Sequence, residues 1–390
     1  GHLLLAATEL FGISADAAVS LQTGPGALLC FIAGLVLIVI GTGFFKPCAA
    51  VMVGQLYEDD DPRRDSGFTI YYLGINVGAM LAPLVAGTLG ETVGWHWGFG
   101  MAAVGMMLGL AGYLWLRPRY LAGIGEAPAR SGKPLTGAAV DARAGTAAGV
   151  AVAAAPQRHP LTSVEWQRIV VILVLAFVAN VAFWTAFEQA GSSMNVFAAQ
   201  STDRTIWGLL SDPFPATWYQ AVNPAAVLLF APGFALLWPW LARRGWDPAT
   251  PTKFAIGLWL LGLSFLAMVA GAMEARDGGL AGPHWLLITY VAITWGELCL
   301  SPVGLSMVTK LAPPQLQSLM MGLWYFSFSV ANLLAGIVAT YSVRLASGEW
   351  TFVIEGLAGF FLLLTLVPVA IGFIILLLSP WLRRWMHGVH

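Results

Sequence analysis

Three charged residues, Lys46, Glu188 and Glu297, stand inside long apolar runs. A charge at mid-bilayer costs roughly 2.5–3.5 kcal/mol on insertion scales, so such residues face a bundle interior or an aqueous cavity. Each has polar company at helical spacing. Lys46 precedes Pro47 in GTGFFKPCAAVMVGQLY (41–57). Pro47 frees a carbonyl and can kink a helix, and Gly41 and Gly43 permit close helix approach. A lysine snorkelling to the membrane surface is the alternative. Trp184 and Glu188 lie four apart in FWTAFEQAGSSMN (183–195), where Gln189, Ser192 and Ser193 add polarity. A carboxyl beside an aromatic ring in a dry site suits proton binding near neutral pH. The alternative is a static ion pair with Lys46, a weak reason to keep two buried charges. Glu297 and Ser301 repeat the spacing in GELCLSPVGLSMVTK (296–310), followed by Pro302. The missing amide hydrogen of Pro302 predicts a helix break near Glu297, and broken helices at mid-membrane are common transport sites. A simple proline kink with a satisfied glutamate is the alternative.

Weaker signals accompany these. FTIYYLGINVGAM (68–80) places Tyr72 and Asn76 on one helix face. Its Gly74–Gly78 pair predicts a close helix neighbour, and Asn76 suits either interhelical glue or binding. Trp324, in MMGLWYFS (320–327), reads by itself as a packing or interfacial tryptophan. Asn223-Pro224 opens a span and could equally be a helix cap. The loop YEDDDPRRD (57–65) reads as a solvated turn, with a gating latch as the sharper option. No ligand cluster or Ser–His pair occurs at span depth, so neither enzyme chemistry nor a metal or organic cofactor is expected. Cys30, Cys48 and Cys299 are isolated and read as small core residues. Without a basic tract, nucleic acid is not an expected partner.

The elements that must position these residues are membrane helices. The chain is 58% hydrophobic and only 10% charged, against about 25% charged in soluble domains. Its apolar runs are long enough to cross ~30 Å of hydrocarbon. The expected class is therefore an all-α polytopic membrane protein. Spans are predicted over 27–53, 68–90, 97–116, 167–198, 221–241, 252–273, 284–311, 316–343 and 353–380, after a partial helix at 1–11. GHLLLAATEL reads as the tail of a helix already begun, which predicts a chain lacking its first two to three transmembrane helices. If 54–67 is cytoplasmic, fifteen of the nineteen basic residues lie on or border that side. The positive-inside bias then puts the C-terminus in the cytoplasm. Residues 118–163, rich in Ala, Gly and Pro, read as a cytoplasmic linker. The expected organisation is the remainder of an N-terminal bundle (1–117), the linker, and a C-terminal six-helix bundle (164–390). That two-bundle plan belongs to secondary transporters.

Taken in order, GTGFFKP, GQLY…DPRRDSGFTIYYLGINVGA, FWTAFEQAGSS, NPAAVLLFAP, GELCLSPVGLSMVTKLAP and MMGLWYF resemble the proton-dependent oligopeptide transporters, the peptide branch of the major facilitator superfamily. The resemblance covers nearly all of the chain outside the linker. It implies the major facilitator fold and proton-coupled import of di- and tripeptides by alternating access, with the proton as coupling ion, in a bacterial inner (plasma) membrane. Another small solute, such as nitrate or an amino acid, or a non-transporting membrane protein, are the rival readings. By resemblance, Lys46 and Glu188 form an inter-bundle link broken by protonation. Asn76, Trp184, Asn223, Glu297, Ser301 and Trp324 line the peptide cavity, Glu297 facing the peptide's amino terminus with Asn223 nearby. Pro47 and Pro302 mark helix breaks for gating. The chain departs from the family pattern in having Cys48 where an asparagine is usual, in the absence of an ExxER run, and in lacking two extra helices after the sixth.

Overall fold

The computed structural model describes residues 1–8, 25–57, 64–122, 124 and 160–388. Most of the predicted linker, and residues 58–63 of the acidic–basic loop, lie outside the described residues. The chain divides into two compact units, Gly1–Ala155 and Pro156–His390. Among the described residues, nine helices are long and apolar enough to cross a membrane.

In the first unit, α1 (His2–Ala6) packs on α2 (Pro25–Gln55) and α4 (Trp95–Tyr120). Leu5 is buried against Gly34, where a Cβ would come within 2.9 Å of the leucine side chain. α3 (Arg64–Ala82) continues through a π-helical turn, Pro83–Gly87, into Thr88–Thr92. It then reverses at Gly94, whose φ of 148° an L-residue rarely adopts. α2 exposes Leu29, Val39, Phe44 and Phe45, the behaviour of a helix whose solvent is lipid rather than water. It runs unbroken through Pro47. A methyl group added at Gly41, Gly43, Gly74 or Gly78 would meet no described atom within 4 Å. Within the first unit, the close approach expected at the Gly74–Gly78 pair is not made by any described residue.

The second unit opens on a capping box. Thr162 N donates to Glu165 Oε2 at 2.8 Å and Glu165 N donates to Thr162 Oγ1 at 3.3 Å. The pair satisfies two otherwise orphaned amides where α5 (Ser163–Ser201) begins. α6 (Val222–Arg243), α7 (Thr250–Glu274), α8 (His284–Leu311), α9 (Gln317–Ala346) and α10 (Leu357–Met386) follow. α7 packs most extensively against α8 and α10. The core between them holds fully buried Phe254, Phe265, Phe360 and Phe361. α7 and α8 meet backbone to backbone: a Cβ on Gly257 would stand 2.9 Å from the Gly296 carbonyl oxygen, and one on Gly296 2.8 Å from that of Gly257. This contact fixes the depth of the residue after Gly296, which is Glu297.

Three expectations are corrected, the first being the break at Pro47, which α2 passes as a continuous helix because a spanning helix can re-satisfy the carbonyl that a proline frees. α8 is a continuous helix with Pro302 inside it, so no break occurs at Glu297. A spanning helix tolerates the carbonyl that Pro302 frees when neighbours and local adjustment re-satisfy it. The break lies instead in α5, which contains no proline. A π-helical turn covers Leu175–Asn180, a 3₁₀ turn covers Glu188–Gly191, and Ser192 leaves helical geometry at φ −124°, ψ −99°. The cysteines are not uniformly core residues either. Cys299 is buried, Cys30 is half-buried and Cys48 is exposed.

Candidate functional site

The best-defined polar constellation in the second unit joins α6 and α8. Asn223 lies in the first turn of α6, after the 3₁₀ turn Ala216–Ala221. It does not cap the helix. Its Nδ2 donates to Glu297 Oε2 at 3.0 Å and to Thr294 Oγ1 at 2.9 Å. Thr294, wholly buried, donates in turn to the Tyr290 carbonyl oxygen at 2.8 Å. Thr294 and Glu297 are three apart and so share a helix face. One amide can orient a carboxylate but cannot neutralise it. Among the described residues, no cation pairs with the half-buried Glu297. The arrangement suits a ligand that brings its own positive charge.

One turn along α8, Ser301 Oγ is buried and has no hydrogen-bond partner among the described residues. Trp184 Nε1 is in the same condition. They are two of several buried side-chain polar atoms left unbonded, and a polar ligand that reached either would satisfy it. Trp184 belongs to an aromatic wall. Its ring centroid is 4.6 Å from that of Phe187 and 5.0 Å from that of Phe328. Phe328 in turn is 6.2 Å from Trp324. The wall meets α8 at two glycines. Phe183, 5.7 Å from Trp184, lies 3.2 Å from the Cβ position of Gly296, and Trp324 seats on Gly304. Trp324 is 2% exposed, so it packs the core as well as belonging to this wall.

Glu188 begins the 3₁₀ turn one helical turn after Trp184. In the first unit, Asn76 is buried and donates to the Tyr72 carbonyl oxygen at 3.0 Å. The shared face of these two residues is realised as a bond within their own helix. Lys46 and Pro47 lie in α2, and their side chains are outside the described residues. The structure thus brings together Asn223 with Glu297, and Trp184 with Trp324 through Phe328. Reasoning from the sequence missed Thr294, Phe183, Phe187 and Phe328. The aromatic residues carried a usable signal, since Phe187 is three residues from Trp184 and Phe328 four from Trp324. Among the described residues, no group of three metal-ligating side chains occurs.

A family model described as the POT family matches residues 1–124 and 146–352. The chain is 35% identical over 378 residues to the peptide transporter YePEPT of Yersinia enterocolitica subsp. palearctica, covering 87% of this chain and 70% of that protein. It is 31% identical over 405 residues to a di-/tripeptide transporter of Lactococcus lactis subsp. cremoris, covering 95% of this chain and 79% of that one. A crystal structure of a mutant peptide transporter POT in complex with sulfate superposes with a TM-score of 0.78 at 32% identity, covering 99% of this chain and 80% of that chain.

Proposed function

The chain belongs to the POT family, and from that premise we propose that it is a proton-coupled symporter importing di- and tripeptides by alternating access. It is an integral, multi-pass membrane protein of major facilitator fold. The observation that supports the substrate reading is the Glu297 carboxylate, oriented by Asn223 and without a cationic partner among the described residues. Small peptides differ in side chain but share a terminal ammonium, so a site built around one carboxylate and an aromatic wall accepts many sequences. In this reading Glu297 takes the ammonium group. Ser301 Oγ and Trp184 Nε1 offer the peptide polar contacts, and Asn76 contacts it from the first unit.

Lys46 and Glu188 are the proposed coupling pair. Protonation of Glu188 removes its attraction for the lysine and releases the link. Each pH unit of gradient supplies ~1.4 kcal/mol per proton, and each 100 mV adds ~2.3 kcal/mol per charge. The proposed location is a bacterial inner membrane with the C-terminus in the cytoplasm, supported by the clustering of basic residues in alternate loops. The test is uptake of labelled dialanine into proteoliposomes under an inward proton gradient, for wild type, Lys46→Ala and Glu188→Gln. Gradient-driven accumulation by wild type and its loss in both variants is expected. Wild-type behaviour of both variants would remove the coupling assignment.

A further inference from the structure

The 3₁₀ turn that starts at Glu188 is fastened on two sides. Gln189, wholly buried, donates through Nε2 to the Ala335 carbonyl oxygen of α9 at 3.1 Å and to that of Thr185 at 3.2 Å. Its Oε1 accepts from Ser193 Oγ at 2.6 Å and Ser192 Oγ at 3.2 Å. The side-chain amide therefore bridges the break, from the Thr185 carbonyl before it to the Ser192 and Ser193 hydroxyls after it. On the other side, Tyr290 of α8 donates through its hydroxyl to the Ala190 carbonyl oxygen at 3.1 Å. Tyr290 is also the residue whose carbonyl holds Thr294, and through it Asn223 and Glu297.

The fastening to α9 extends along the helix. Thr185 Oγ1 donates to the Ala331 carbonyl oxygen at 3.3 Å, and Asn180 Nδ2 donates to Ser327 Oγ at 2.8 Å. Ser327 Oγ donates onward to the Trp324 carbonyl oxygen at 2.6 Å. On α9 the attachment points are Ser327, Ala331 and Ala335, one per turn and all buried. On α5 they are Asn180, Thr185 and Gln189, and this wider spacing is spanned by a segment bounded by the π-helical and 3₁₀ turns. Departures from α-helical geometry of this kind recur at functional sites. Small residues on one helix and polar side chains on the other are how spanning helices are held together without water.

We infer that Gln189 and Tyr290 are positioning residues for Glu188. They hold its turn to α9, which carries Trp324, and to α8, which carries Glu297. A change in protonation at Glu188 then moves the substrate-contacting helices with it instead of being absorbed as local rearrangement of a broken helix. Within this unit Tyr290 on α8 is the ionisable residue bonded to the turn, through its hydroxyl, and Glu297 lies two turns further along the same helix. α9 brings no charged side chain before Arg344 near its far end. The inference rests on the coupling role proposed for Glu188.

The experiment uses the full-length transporter in proteoliposomes. It compares proton-driven uptake of labelled dialanine with dialanine exchange at equal pH and no membrane potential, in Gln189→Leu, Tyr290→Phe and Glu188→Gln. A purely structural defect lowers both activities together. A positioning defect lowers driven uptake while sparing exchange. Tyr290→Phe removes one hydroxyl and should cut driven uptake at least fivefold, with exchange rate and exchange KM within twofold of wild type. Gln189→Leu should cut driven uptake at least tenfold with the same sparing. If Gln189→Leu does not reach the membrane, Tyr290→Phe decides alone. Retention of both activities within twofold, or their loss by one common factor, overturns the inference. Glu188→Gln separates the two levels: if it keeps driven uptake, the coupling role itself fails. If it loses driven uptake while the other variants keep theirs, only the positioning role fails.

Discussion

Asn223 and Glu297, on α6 and α8, are joined by one amide-to-carboxylate hydrogen bond of 3.0 Å. The same Asn223 amide is anchored on Thr294, one turn before Glu297. The carboxylate is thereby aimed without being neutralised. Hydrogen bonds to charged groups contribute about 1.5–3 kcal/mol. Asn223→Ala should therefore raise the KM for a dipeptide by about tenfold or more, since ~1.4 kcal/mol is one decade. Maximal velocity should change less. Initial-rate uptake over a concentration series measures this, and an unchanged KM would detach Asn223 from substrate binding.

Trp324 seats on Gly304, where an added methyl group would overlap the indole. Phe254, its ring centroid 6.2 Å from that of Trp324, crowds the same position, with its Cζ 3.0 Å from the Gly304 Cβ site. Overpacking of this kind costs roughly 1–3 kcal/mol. Gly304→Ala should lower the thermal transition of the purified protein and raise peptide KM together, because the displaced ring belongs to both core and wall. A KM shift at unchanged thermal stability would contradict this dual placement.

The loop between α5 and α6 contains three consecutive left-handed residues, Ile206, Trp207 and Gly208, at φ 56°, 54° and 79°. Positive φ is costly for a β-branched residue. The Asp203 carboxylate holds the turn, accepting from Thr205 Oγ1 at 2.5 Å, Thr205 N at 2.9 Å and Trp207 N at 2.8 Å. These donors, the Thr205 hydroxyl foremost, keep its carboxyl below the usual carboxylate range. A depressed folded pKa contributes stability that is present above the unfolded value, about 3.9, and lost as pH falls through the folded value. Hydrogen exchange at residues 203–208 should show protection that collapses only in that acid window. Asp203→Asn should weaken protection at pH values above that window and abolish the acid step. An identical profile for the two proteins would exclude this role.

Thr162 and Glu165 form the reciprocal cap that begins α5. Thr162→Ala should destabilise the helix start by about 1 kcal/mol and leave peptide KM within twofold. Thermal denaturation and uptake kinetics read the two effects separately, and a large KM change would link this helix end to the site.

The spans were legible because hydropathy reports the length of apolar chain that a bilayer demands. α8 occupies the predicted 284–311, and α5 differs from 167–198 by three or four residues at each end. The last helix starts later than predicted, at Leu357, because Gly356 at φ 72° ends the preceding turn. Pro302 misled, since proline rules come from helices whose freed carbonyl must find its own partner. The real break at Glu188–Gly191 carried no local proline signal. It depends on bonds to Ala335 and Tyr290, each a hundred residues or more away in the chain. The Asn223–Glu297 pair spans 74 residues, and spacing cannot show it. It was reached only through the resemblance of whole runs to a known family. Trp184 stood out by its four-residue spacing to Glu188, but its place in the cavity, like that of Trp324, came from the resemblance, and the phenylalanines between them were left out.

The role proposed for Glu297 is to receive the ammonium group of a peptide. It is tested most directly by competition of labelled dialanine uptake with free dialanine and with N-acetyl-dialanine, in wild-type and Glu297→Gln proteoliposomes. Exchange conditions keep the comparison independent of the proton gradient. Wild type should prefer the free peptide by about two decades, ~2.8 kcal/mol at ~1.4 kcal/mol per decade, and Glu297→Gln should lose most of that preference by weakening on the free peptide alone. Equal discrimination by the two proteins would contradict the assignment.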